Sequence, residues 1–305
     1  MPADSDRRGA MFGVAAYTMW GLFPLYWPLL RPAGALEILA HRIVWSLVAM
    51  VAMLAVRRHW SWVGMLARQP RKLLLLTAAA VLVSLNWGIY IYAVNNREVV
   101  ETALGYFINP LVSVLFGVLI LRERLRPGQW IAVGVAIVAV ILLTVDYGRP
   151  PWIALLLATS FGTYGLIKKT LGLGPVESLT VETLVLFLPA LGYLVHLQRH
   201  GLGSFGREGA AHLLLLIGSG PITALPLLYF GAAAIRIPLT VLGLLQYIAP
   251  TLQFLCGVGI THEPMPVNRW IGFSIIWLAL AIFTGDALRA HRKTRRLAGN
   301  HRPPG

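Results

Sequence analysis

Apolar runs of about 20 residues recur along the chain, separated by short polar stretches, and each run is long enough to cross a hydrocarbon core. Hydropathy predicts helices near 10–30, 37–56, 72–94, 99–121, 128–146, 150–168, 178–197, 211–235, 239–260 and 268–288. Lipid offers no hydrogen bonds to a backbone, so apolar runs of this length are read as helices. Little chain remains for a soluble domain. The pattern predicts an all-α integral membrane protein of ten transmembrane helices.

Composition supports that reading: 57% of the 305 residues are apolar and 12% charged, with a mean hydropathy of +0.70. A net charge of +14 raises nucleic-acid binding, but the basic residues sit at the ends of apolar runs. No nucleic-acid partner is therefore expected. With the N-terminus placed in the cytoplasm, 19 Lys and Arg fall on the cytoplasmic side and six opposite, leaving Arg42 within a span. This positive-inside excess predicts both termini in the cytoplasm. Arg7 and Arg8 precede an apolar segment too long for a signal peptide, so it reads as a retained first helix.

The 57–72 loop carries Arg57, Arg58, Arg68, Arg71 and Lys72 around Trp60 and Trp62, a pattern suited to lying on anionic lipid. A basic tail, 289–305, is expected to be frayed and lipid-associated. Cys256 is the single cysteine, which excludes an intramolecular disulfide and a CxxC metal site.

Sliding the chain by 140 residues gives ten identities in the 28 pairs from Leu104–Leu244 to Ile131–Ile271, among them Pro110–Pro250, Gly117–Gly257, Glu123–Glu263 and Trp130–Trp270. Apolar bias does not account for matched Pro, Trp and Glu, so the chain contains a repeat. A slightly different offset matches Trp20-Gly21 with Tyr164-Gly165. The predicted units are residues 8–147 and 150–288. Five helices is an odd number, so the second unit enters from the opposite side, an inverted repeat of the kind many secondary transporters use.

Several segments resemble a known family: Tyr17-Thr18-Met19-Trp20-Gly21, Glu37-Ile38-Leu39-Ala40-His41-Arg42, Ala93-Val94-Asn95-Asn96, Leu104-Gly105-Tyr106-Phe107-Ile108-Asn109-Pro110-Leu111, Gln246-Tyr247-Ile248-Ala249-Pro250-Thr251, and Phe283 to Asp286. From about residue 8 to 288 the chain resembles the EamA family of the drug/metabolite transporter superfamily. The resemblance implies two five-helix EamA repeats, a bacterial inner membrane, and export or exchange of small metabolites or drugs. His262-Glu263-Pro264 departs from the basic pair the family carries after the ninth helix, so nothing is carried over to that loop.

Arg42 demands an explanation, because a guanidinium at mid-helix costs roughly 2.5–3.5 kcal/mol unless it faces a cavity or a partner. The 140-residue shift matches it to Glu182, and Glu37 to Glu177. Arg42 and Glu182 are therefore expected to face one central cavity and to pair, the alternative being an arginine that snorkels. An imidazole ordinarily titrates between pH 5 and 8, so His41 is a candidate to link transport to protons; a packed imidazole is the alternative.

Asn109-Pro110 and Ala249-Pro250 mark helix-break candidates, since proline frees a backbone carbonyl. Tyr106 and Gln246 stand one turn earlier. Asn86, Trp87 and Tyr90, with Trp20 and Tyr164, complete the candidate substrate cavity, where aromatic faces stack on flat ligands or hold cations. They also suit an interfacial belt. Gly201-Leu202-Gly203-Ser204-Phe205-Gly206 fits GxGxxG, but no strand precedes it and it is dismissed as a dinucleotide site.

The chain has no HExxH, GxSxG or P-loop, so a membrane enzyme lacks its machinery. A sensor or scaffold would need an output domain. A carrier that uses a gradient or exchange, with no cofactor or metal, is the expected function, and the substrate and oligomeric state stay open.

Overall fold

The computed structural model describes residues 2–58, 60–121, 125–171, 173–234, 236–237 and 239–299. Its helices are α1 Pro2–Gly21, α2 Phe23–Tyr26 with a 3-10 turn Trp27–Leu30, α3 Ala35–Arg57, α4 Ser61–Ala67, α5 Pro70–Asn95 and α6 Val99–Leu121. They continue as α7 Pro127–Tyr147, α8 Trp152–Leu171, α9 Pro175–Arg199, α10 Gly209–Ala234, α11 Leu239–Leu245, α12 Ile248–Gly259 and α13 Val267–Gly299. Among the described residues there is no strand. Local sequence sets several boundaries. Pro70, Pro127 and Pro175 open α5, α7 and α9, where a missing N–H costs nothing.

Among the described residues, seven helical stretches are long and apolar enough to cross a membrane. Large apolar side chains such as Val56, Leu74, Val145, Leu188 and Val267 point outward and are largely exposed. In water such a surface would aggregate, whereas in lipid it is the favoured face.

Three stretches differ from the hydropathy reading. The first apolar run is interrupted after Gly21, and Pro24 and Pro28 open the short helix and the 3-10 turn that follow. The ninth run divides into α11 and α12 at Gln246 and Tyr247. The last helix extends to Gly299, so the basic residues from Arg289 onward continue α13 instead of leaving it frayed; residues 300–305 lie outside the described residues. The two proline candidates diverge. Pro110 sits inside an uninterrupted α6, while Pro250 lies in the first turn of α12, just after the break. Its ring needs no donor there. Glu123, one member of the matched pairs, lies outside the described residues.

The helices pack mostly across the middle of the sequence: α7 on α13, α6 on α8 and α12, α3 on α9 and α10, α1 on α10, and α5 on α8. The largest core joins Phe107 and Leu111 of α6, Leu143 of α7, Phe254 of α12, and Phe273 and Ile276 of α13. The α7–α13 pair is clamped at both ends. Arg126 binds Asp286 at 2.6 Å and Arg269 binds Asp146 at 3.1 Å, so the two helices run antiparallel. The two aspartates stand 140 residues apart, the offset at which the sequence matches itself.

One end of the bundle is tied by polar contacts between loops and helix starts. Glu263 accepts the Val99 and Val100 N–H groups at 2.6 and 2.9 Å, capping α6 from the distant 260–266 loop. Arg149 meets Glu98 at 3.1 Å and Glu101 at 3.0 Å, and Glu101 also caps Ile153 of α8 at 2.9 Å. The loop after α9 turns through Gly201 and Gly206 at φ +70 and +77, a left-handed region that glycine alone enters freely. The GxGxxG spacing is therefore turn geometry. It sets Ser204 against Glu37, whose carboxylate accepts the Ser204 N–H at 2.7 Å and hydroxyl at 2.9 Å.

Candidate functional site

Arg42 is the eighth residue of α3 and only 3% exposed. Its Nε donates to Thr223 Oγ1 of α10 at 2.9 Å. The guanidinium carbon stands 3.9 Å from the Trp87 ring centroid of α5, 5.0 Å from that of Trp27 and 5.7 Å from that of Phe23. Cation–π attraction at desolvated sites contributes about 2 kcal/mol, which offsets part of the cost of burying the charge. Nη1 is buried without a hydrogen-bond partner. Among the described residues no carboxylate lies within ion-pair reach of it.

Beside this charge, Tyr106 Oη donates to Asn86 Oδ1 at 3.2 Å. Asn86 in turn donates to the Leu157 carbonyl and to Ser160 Oγ of α8, both at 3.0 Å. The Tyr90 and Tyr106 rings meet edge to face at 5.8 Å, and Tyr90 packs in one buried cluster with Phe23 and Trp27, whose rings face the guanidinium. Asn86, Trp87, Tyr90, Tyr106 and Arg42 therefore form one neighbourhood, built from α3, α5, α6 and α10.

Glu182 belongs to a different one. It is the eighth residue of α9, 1% exposed, and pairs with Lys168 Nζ at 2.9 Å. Ser178 and Tyr164 hydroxyls donate to the same carboxylate at 2.6 and 3.1 Å, and Lys168 also donates to Ser178. The expected Arg42–Glu182 pair is thus replaced by Glu182–Lys168. Geometry explains the correction. Ala40 and Ile43 pack with Ala190 and Met50 with Leu179, so α3 and α9 run in opposite senses. Matched positions then fall at opposite depths, here about seven residues or roughly 10 Å apart along the helices.

The other candidates scatter. His41 stacks on Phe205 of the 200–208 loop at 4.8 Å, and neither ring nitrogen finds a partner. Trp20 packs with Tyr17 and Phe230 at 5.4 and 5.9 Å, and its carbonyl accepts from Gln253 at 3.3 Å. Gln246 is half-buried at the α11–α12 break. Asn109 keeps a buried Oδ1 without a partner. Sequence reasoning missed Thr223, Phe23, Trp27, Lys168 and Ser178. Helical spacing held a signal for some of them: Trp27 follows Phe23, and Lys168 follows Tyr164, by one turn, and Ser178 precedes Glu182 by one turn.

Outside the spans, burial and the neighbouring Glu101 raise the Glu98 carboxyl above its ordinary value, with Arg149 opposing. Burial raises Glu263 as well, against the lowering effect of the Val100 and Val99 N–H groups.

Charges buried between outward-apolar helices define a multi-pass helical membrane protein, and comparison with known proteins gives its kind. The EamA-like transporter family matches residues 7–145. Protein RarD of Streptomyces exfoliatus is 58% identical over 97% of this chain and 94% of its own length. The uncharacterized transporter YojE of Bacillus subtilis is 45% identical over 95% of this chain and 97% of its own. A protein of known crystal structure, 20% identical, shares the fold with a TM-score of 0.58 over 92% of this chain and 98% of its own. The chain belongs to the RarD group of the EamA family, in the drug/metabolite transporter superfamily.

Proposed function

We propose that the chain is a secondary-active carrier that exports or exchanges a small metabolite or drug across the bacterial inner membrane by alternating access. In this reading ten spans form two inverted five-helix repeats, with both termini cytoplasmic. The basic 57–72 segment and the C-terminal stretch rest on anionic lipid. The observation that carries the proposal is the placement of Arg42: a buried cation of the first half is held by Thr223 of the second. A charge spanning the seam between two halves is well placed to feel a solute and the relative motion of those halves. The reciprocal α7–α13 clamp supports the inverted relation, because each half gives one arginine to the other's aspartate.

The test compares metabolites in medium and cytosol of cells expressing the wild type, Arg42→Ala or no transporter, at equal membrane levels. Compounds redistributed by the wild type and not by the variant are expected. No redistributed compound would overturn the carrier reading.

A further inference from the structure

Three donors at or beside Arg42 have no acceptor. Arg42 Nη1, Trp27 Nε1 and Tyr90 Oη are all buried without a hydrogen-bond partner, and the Trp27 ring stands 5.0 Å from the guanidinium carbon. Arginine and tryptophan can only donate, and the guanidinium keeps its proton in proteins. Thr223 takes Nε and Trp87 covers a face at 3.9 Å, which leaves Nη1 without an acceptor.

A cation with an unpaired donor of its own and two neutral donors beside it, Trp27 Nε1 and Tyr90 Oη, fits an anion. One positive charge in a low-dielectric interior balances one negative charge, and a dianion would leave an excess. A carboxylate fits the planar guanidinium edge and also accepts from Trp27 and Tyr90. The rings of Phe23, Trp27 and Trp87 offer flat apolar walls to the body of such a molecule. Resting on the carrier reading of this centre, we propose that its solute is a small organic monocarboxylate, held by Arg42 with Trp27 and Tyr90 as neutral donors.

The purified protein in detergent tests this by thermal unfolding with benzoate and phenylacetate and with their neutral counterparts, benzamide and phenylacetamide. The acids are expected to stabilise the wild type and the amides are not. This contrast needs no variant. Arg42→Gln is expected to weaken the apparent benzoate affinity on the order of 100-fold. Trp27→Phe, which keeps a ring and loses a donor, weakens it about tenfold.

Equal stabilisation by acids and amides, stabilisation by neither, or unchanged benzoate affinity in both variants would each overturn the anion site. In the metabolite comparison, redistribution of neutral or cationic compounds alone would overturn the anion and leave the carrier standing. Acid-selective binding with no redistributed compound would do the reverse.

Discussion

Two helices, α3 and α9, each bury a charge at their eighth residue, and the two are satisfied in different ways. Glu182 is closed by Lys168 and Tyr164 of the preceding α8 and by Ser178 of α9 itself. Arg42 reaches 181 residues along the chain to Thr223 of α10 and keeps a donor unpaired. The position is shared and the chemistry is not. A satisfied charge holds a fold, whereas an unsatisfied one is costly unless something else binds it.

The sharpest contrast comes from neutralising each centre. Lys168→Met strands the Glu182 carboxylate and is expected to cost about 3 kcal/mol, at the low end for a broken buried pair because Ser178 and Tyr164 still donate. Arg42→Met strands no charge, so its unfolding free energy should stay within about 1 kcal/mol of the wild type, as lost cation–π contacts offset relieved desolvation. Transport should vanish with it. Denaturant unfolding beside the metabolite comparison measures both; a severely unstable Arg42→Met would erase the distinction.

A second contrast lies in the clamp. The Asp146–Arg269 pair is 7% and 15% exposed, the Asp286–Arg126 pair 21% and 44%. Asp146→Asn is expected to cost about 2 kcal/mol, as for a hydrogen bond to a buried charge, and Asp286→Asn less than about 1 kcal/mol. Equal losses would show that burial does not rank them. Glu263→Ala, which uncaps α6, should cost about 1 kcal/mol in the same assay.

The smallest effect is pH-dependent. The Glu98 carboxyl is raised above its ordinary 4.5 in the folded state. Its contribution to stability is therefore fully present below pH 4.5 and lost as pH rises through the raised value. Glu98→Gln should show a flatter pH profile of unfolding temperature over that window, and an unchanged profile would remove Glu98 as the source.

Helix positions were largely legible because an apolar run is a signal in one dimension. Arg42 stood out for the same reason, as a charge within such a run. Its partners were not legible. Thr223 lies 181 residues away, and no local pattern marks one threonine among many as its acceptor. The expectation that Glu182 pairs with Arg42 matched the two positions by sequence offset and overlooked that α3 and α9 run in opposite senses, which sets matched positions at different depths. Pro110 and Pro250 were matched residues in unmatched settings, one inside a continuous α6 and the other in the first turn of α12.

The α7–α13 clamp also bears on how the chain is made. Asp146 is synthesised 123 residues before Arg269, its partner, and Arg126 leaves the ribosome 160 residues before Asp286. Until the last helix arrives, a nascent chain holds Asp146 and Arg126 at the ends of α7 without the α13 partners that pair with them in the finished fold. A product truncated before α13 therefore lacks both ion pairs.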